Sequence, residues 1–180
     1  MYFQRCTCVI LLICSIMQDS QCCDWLRYSY RLLSAESLKM LQEMGGDYTE
    51  DASPVPFPES QYKKMIYSAE PKDQVRFLNE SIYQITELFN GNMQAVKWDS
   101  KKLDDFLNLI HRQFYNLKSC VPPQVKPDMN LKRYFRKLNR KVLRKMKYSA
   151  NAWELVRKET KSHLLRLDII AALLRNRIYI

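Results

Sequence analysis

The sequence predicts an all-α bundle of five helices with a long first crossover loop. Three observations predict it. Apolar residues recur at three- and four-residue steps through five segments, and no segment shows convincing period-2 alternation. Only three glycines occur, two of them adjacent (Gly45 and Gly46), which argues against the closely spaced turns of an all-β fold. With 47% hydrophobic and 27% charged residues the chain can bury a core, and its 180 residues suit one domain.

Residues 1–22 differ from the rest. Arg5 is the only early charge, and an apolar run from Cys6 to Met17 turns polar at Gln18. The run falls short of the roughly 20 residues a spanning helix needs. It fits a secretory signal, with small Ser20 and Cys22 placed for a cut after Cys22. The competing reading is an N-terminal helix retained in the fold. The mature chain, 23–180, is expected to be secreted, extracellular and without membrane insertion. Cleavage removes Cys6, Cys8, Cys14 and Cys22, leaving Cys23 and Cys120. In an oxidising compartment these two predict one disulfide, closing a long loop worth on the order of 4–5 kcal/mol. A cut before Cys22 would leave an odd thiol.

Asp24 is the expected cap of the first helix, with Trp25, Tyr28, Leu32, Leu38 and Leu41 inward and Gly45-Gly46 as its stop. Pro54, Pro56 and Pro58 at alternate positions exclude helix and central strand across 47–60, so this is a long, partly extended connection. A short turn is expected at Tyr62–Tyr67. Pro71 opens the second main helix, with Val75, Leu78, Ile82, Ile85 and Phe89 inward. Asp99 or Ser100 caps the third, through Leu103, Phe106, Ile110 and Leu117. The fourth follows Asp128, with Leu131, Tyr134, Phe135, Leu138, Val142 and Met146 inward. Ser149 or Asn151 caps the fifth, whose stripe is Trp153, Val156, Thr160, Leu164, Leu167, Ile170, Ala171 and Leu174. The long first connection allows two consecutive helices to run parallel, as in cytokine bundles.

The net charge is +10, and nine Lys or Arg with no acid lie between Asn130 and Lys147, on the fourth helix. A solvated outer face explains such a run; so does a surface for an acidic receptor or sulfated glycans. Nucleic-acid binding is not expected, because Tyr134 and Phe135 are needed inside rather than for stacking. Nothing points to an enzyme, a cofactor or a metal. The common nucleophile, zinc and phosphate-loop motifs are absent, and His111 and His163 are isolated. The adjacent Asp104 and Asp105 diverge by about 100° on a helix. Trp25, Trp98 and Trp153 read as core anchors. Asn79-Glu80-Ser81 is a glycosylation acceptor that export would make usable.

Three segments carry a family likeness. Cys23-Asp24-Trp25 opens the mature chain, Leu33 to Leu38 leads to Leu41-Gln42-Glu43-Met44-Gly45-Gly46, and Tyr148 to Arg157 starts the last helix with Ala152-Trp153-Glu154. Together they resemble type I interferons, and most closely the two-cysteine group from fish. The resemblance implies a class II helical cytokine with no enzymatic activity. It would bind a heterodimeric class II cytokine receptor, of interferon alpha/beta receptor-like chains, and induce antiviral genes through JAK-STAT signalling. It implies that the higher-affinity chain meets the first helix, the first long loop and the last helix, with Arg157, Lys158 and Lys161 as receptor contacts. Mammalian members carry a second disulfide that starts just before the Ala-Trp-Glu. Here Asn151 holds that position and the 45–60 loop has no cysteine, so the loop is expected to be freer. Another helical hormone is an alternative, as is a basic secreted host-defence protein that acts directly on membranes or glycans.

Overall fold

The computed structural model describes residues 24–121 and 128–177. The expected signal, Cys23 and part of the 120–127 loop lie outside them. Residues 24–28 are helical and lead into α1 (Tyr30–Glu43). Then follow α2 (Glu59–Tyr67), α3 (Pro71–Phe89) and α4 (Ser100–Lys118). α5 (Met129–Leu138) runs into a π-helical turn, Asn139–Arg144, and α6 (Ala150–Arg177) closes the chain. No strand occurs among the described residues.

The four long helices form the bundle: α1 and α3 each pack against α4 and α6. Side-chain links fix their directions. The end of α1 meets the start of α4 through Lys102 Nζ and Glu43 Oε2 at 2.8 Å. It also meets the start of α6, where Arg157 Nη1 donates to Leu41 O at 3.2 Å. Arg177, at the end of α6, donates to Ala69 O at 3.0 Å, just before α3 begins. α1 is therefore antiparallel to α4 and α6, and α3 is antiparallel to α6. Two consecutive long helices point up and two point down, as the long first connection allowed.

Local chemistry explains the starts. Asp99 accepts from Lys102 N at 2.9 Å to cap α4. Asp128 accepts from Asn130 N and Leu131 N to cap α5, and Ser149 accepts from Ala152 N at the start of α6. Pro71 sits in the first turn of α3, where its missing N–H costs nothing.

Four expectations are corrected. Asp24 is already helical rather than a cap. The inner face of α1 is phased differently: Tyr28 is 60% and Leu32 73% exposed, while Leu26, Tyr30, Ser34, Ser37, Leu41 and Met44 are buried. The serines can turn inward because their hydroxyls are satisfied. Ser37 Oγ donates to Leu33 O at 2.7 Å, and Ser34 Oγ to Asp168 Oδ1 at 2.5 Å. Residues 59–67 form a complete helix rather than a short turn, burying Tyr62 and Met65. The basic helix changes to a π turn after Leu138, within which Val142 and Leu143 are buried.

Trp153 is fully buried in the core, its ring 5.8 Å from Phe89 and 6.2 Å from Trp98, and its Nε1 donates to Asn92 O at 2.9 Å. Trp25 is only partly buried, edge-to-face with Tyr30 at 5.9 Å.

Candidate functional site

The loop after α1, residues 44–58, lies along α6 and is held there by polar side chains. Arg157 is the centre of this arrangement. Its Nη1 reaches Leu41 O, one of the carbonyls that the end of α1 leaves without a helical partner. Its Nη2 donates to Gly46 O at 2.7 Å and Asp47 O at 3.2 Å, and Nε donates to Glu154 Oε2 at 2.9 Å. The guanidinium lies 4.0 Å over the Tyr48 ring. A Cβ on Gly45 would lie 3.0 Å from the Arg157 guanidinium carbon and from the Trp98 ring, so a larger residue there would have to displace one of them by a few tenths of an ångström.

The next residue of α6 pins the loop again. Lys158 Nζ donates to Thr49 O at 2.9 Å and Asp51 O at 3.0 Å. Lys161 Nζ sits 4.3 Å over Tyr48. Asn151 Nδ2 donates to Asp51 Oδ2 at 3.1 Å. Further on, Val55 is buried, and Phe57 packs 4.6 Å from the His163 ring and 5.2 Å from that of Tyr62. Arg166 covers Phe57 at 4.3 Å and pairs with Glu59.

Two expectations are corrected by this geometry. Arg157 is 0% exposed and spends its donors inside the chain, so it is a positioning residue and not a surface contact. The helical wheel put it beside the core stripe, and only the loop covering it, which has no periodicity to read, takes it out of solvent. The loop is also not freed by the missing cysteine pair. Asn151, at that very position, holds Asp51 by a hydrogen bond. Lys158 and Lys161 remain partly exposed at the rim.

Outside the pinned loop, α6 presents two unpartnered apolar side chains one turn apart, Leu165 at 47% and Ile169 at 49% exposure. They follow Lys161 at four-residue steps, so the three share one outer face. Sequence reasoning passed over both. The available signal was a surplus: they are large apolar residues of the last helix that fall outside its inner stripe.

His163 is buried among rings. Its Nδ1 shares a 2.6 Å hydrogen bond with the Tyr62 hydroxyl, and its Nε2 has no partner. Burial, and secondarily the charge of Arg166, pushes its pKa down to about 3. No nucleophile or carboxylate bonds it, so this is a neutral core histidine. Among the described residues, no group of His, Cys, Asp or Glu could hold a metal ion, and no helix is long and apolar enough to cross a membrane. Asn79 is half-buried on α3, its Oδ1 is shut off from solvent, and Ser81 is fully buried. Cys120 is disulfide-bonded. Its expected partner, Cys23, lies outside the described residues.

Comparison with known proteins agrees with this architecture. Residues 26–174 match the interferon alpha/beta domain. The chain is 59% identical over 169 residues to interferon a3 of Oncorhynchus mykiss, covering 94% of this chain and 96% of that protein. It is 30% identical to interferon omega-1 of Equus caballus over 82% of this chain and 81% of that one. The solved structure of zebrafish interferon 1 matches with a TM-score of 0.75 and 41% identity, over 84% of this chain and 99% of that chain. The bundle order, the Trp153 core and these likenesses across nearly the whole chain lead to one conclusion: the chain belongs to the type I interferon family, among the fish members, and is an antiviral cytokine of innate immunity.

Proposed function

We propose that the protein is exported by residues 1–22, stapled by a Cys23–Cys120 disulfide, and acts by drawing together two class II cytokine receptor chains that start JAK-STAT signalling. One chain docks on the face built by α1, the 44–58 loop and α6. The observation that carries this reading is the exposed Leu165–Ile169 pair beside a loop already fixed in place. Apolar anchors on a rigid, preorganised surface are what a protein partner selects, because little ordering is left for binding to impose. Lys158 and Lys161 form the charged rim of this face, and Arg157 shapes it from beneath. The disulfide assignment is supported by Cys120 being disulfide-bonded, while the other five cysteines all fall within residues 1–23.

The test is antiviral gene induction by purified protein on fish cells, with the receptor chains present or blocked. Induction is expected to vanish on block and to fall by at least about tenfold for Leu165→Asp. Microbial killing in the absence of host cells, with no receptor-dependent induction, would favour the direct host-defence reading.

A further inference from the structure

Between α3 and the basic helix lies an open cleft of about 680 Å³. One wall carries Lys132, Arg133, Arg136, Lys137, Arg140 and Arg144; the other is α3, with Tyr83, Gln84 and Glu87. All six cations are exposed, and none makes an ion pair with a described carboxylate. Glu87 is the only acid among the described lining residues. We propose that this cleft is a binding site for a sulfated glycan chain, separate from the face formed by α1, the loop and α6.

Three features favour that ligand. Four of the cations are arginines, whose planar forks match sulfate oxygens in pairs, and Arg133, Arg136, Arg140 and Arg144 recur at steps of three or four. At about 1.5 Å per residue they extend over roughly 16 Å, enough for several monosaccharide units of a linear chain. Six unpaired like charges on one wall raise the local potential and leave a deficit that a polyanion fills. The concave shape and the aromatic content argue against other polyanions. A flat bilayer does not enter a cleft, and no large exposed apolar side chain lines it for insertion. Phe135 is buried and Tyr83 is half-buried, so neither offers a stacking platform to bases.

The experiment measures binding of size-defined heparin fragments to the mature protein at several salt concentrations. Two variants are compared: Arg133→Gln/Arg136→Gln/Arg140→Gln/Arg144→Gln, and a control with the same change of net charge, Lys63→Gln/Lys64→Gln/Lys101→Gln/Lys118→Gln. The arginine variant is expected to bind about 100-fold more weakly and to lose roughly one unit of log–log salt slope per cation removed. The control should change affinity less than about threefold, as expected of a screened, distant charge. Circular dichroism and the thermal midpoint should be unchanged in both. Desulfated heparin, which keeps its carboxylates, should not bind. Equal weakening by both variants would overturn the proposal, because net charge alone would then explain binding. So would a single-stranded oligonucleotide, or vesicles rich in phosphatidylserine, displacing heparin at matched charge and salt.

Discussion

Arg157 and His163 are both buried polar side chains of α6, and their energetics differ. Arg157 is charged, paired with Glu154 Oε2 at 2.8 Å, and bonded to carbonyls of α1 and the loop. Removing it leaves those carbonyls without a donor, so Arg157→Ala is expected to lower unfolding stability by about 3 kcal/mol in urea titration. Arg157→Lys should recover less than half of this, because one ammonium cannot reach acceptors spread around a planar fork. His163 is neutral at neutral pH and stays so when folded. Its folded pKa, about 3, lies below the 6.5 of the unfolded chain. As pH falls below 6.5 the unfolded state gains a proton that the folded state does not, so stability declines with acidification, by up to about 1.4 kcal/mol per pH unit. Burial raises the pKa of Asp168, Glu159 and Glu80, and these carboxylates act in the opposite sense nearer their own range. His163→Phe separates the histidine's share from theirs, because it removes only the imidazole. A pH series of denaturation midpoints should show this slope in the parent protein and its loss in His163→Phe. Neither role was legible in the sequence. Position 163 was seen at the edge of the apolar stripe, but its tyrosine partner comes from α2, 101 residues earlier in the chain.

At the level of helices and turns, periodicity identified all four long helices, because α3, α4 and α6 carry dense apolar stripes and clear starts. It misphased α1, where the buried serines look polar in sequence and the exposed Tyr28 and Leu32 look apolar. It also missed the change from α to π after Leu138, since the pattern of inward residues reads almost the same through either winding. The turn that follows is unusual: Lys147 and Tyr148 both take left-handed conformations, with φ of 52° and 53°. A side chain at such a φ costs on the order of 1 kcal/mol, which glycine avoids. Tyr148 packs beside Trp153 at 6.5 Å and cannot be spared, whereas Lys147 is exposed. Lys147→Gly is accordingly expected to raise stability by up to about 1 kcal/mol, read as a higher thermal midpoint with unchanged helix content.

Seen as a whole, the molecule places two different surfaces on one rigid bundle. The face of α1, the loop and α6 is apolar at Leu165 and Ile169 and edged by Lys158 and Lys161; the cleft of α3 and α5 carries six cations on one wall. The bundle was readable from the sequence in its apolar stripes, whereas the long connection only allowed a parallel first pair, and the direction is set by contacts such as Arg157 to Leu41 O and Arg177 to Ala69 O. The loop's attachment was not readable, since hydrogen bonds to backbone carbonyls leave no trace in residue spacing. The proposed receptor docking rests on the Leu165–Ile169 face, held in shape by the pinned loop. Surface plasmon resonance against receptor ectodomains tests it most directly, comparing the parent protein with Leu165→Asp/Ile169→Asp at matched thermal stability. Binding to one receptor chain is expected to weaken at least about 100-fold, with binding to the other unaltered. Unchanged affinity for both chains would contradict it.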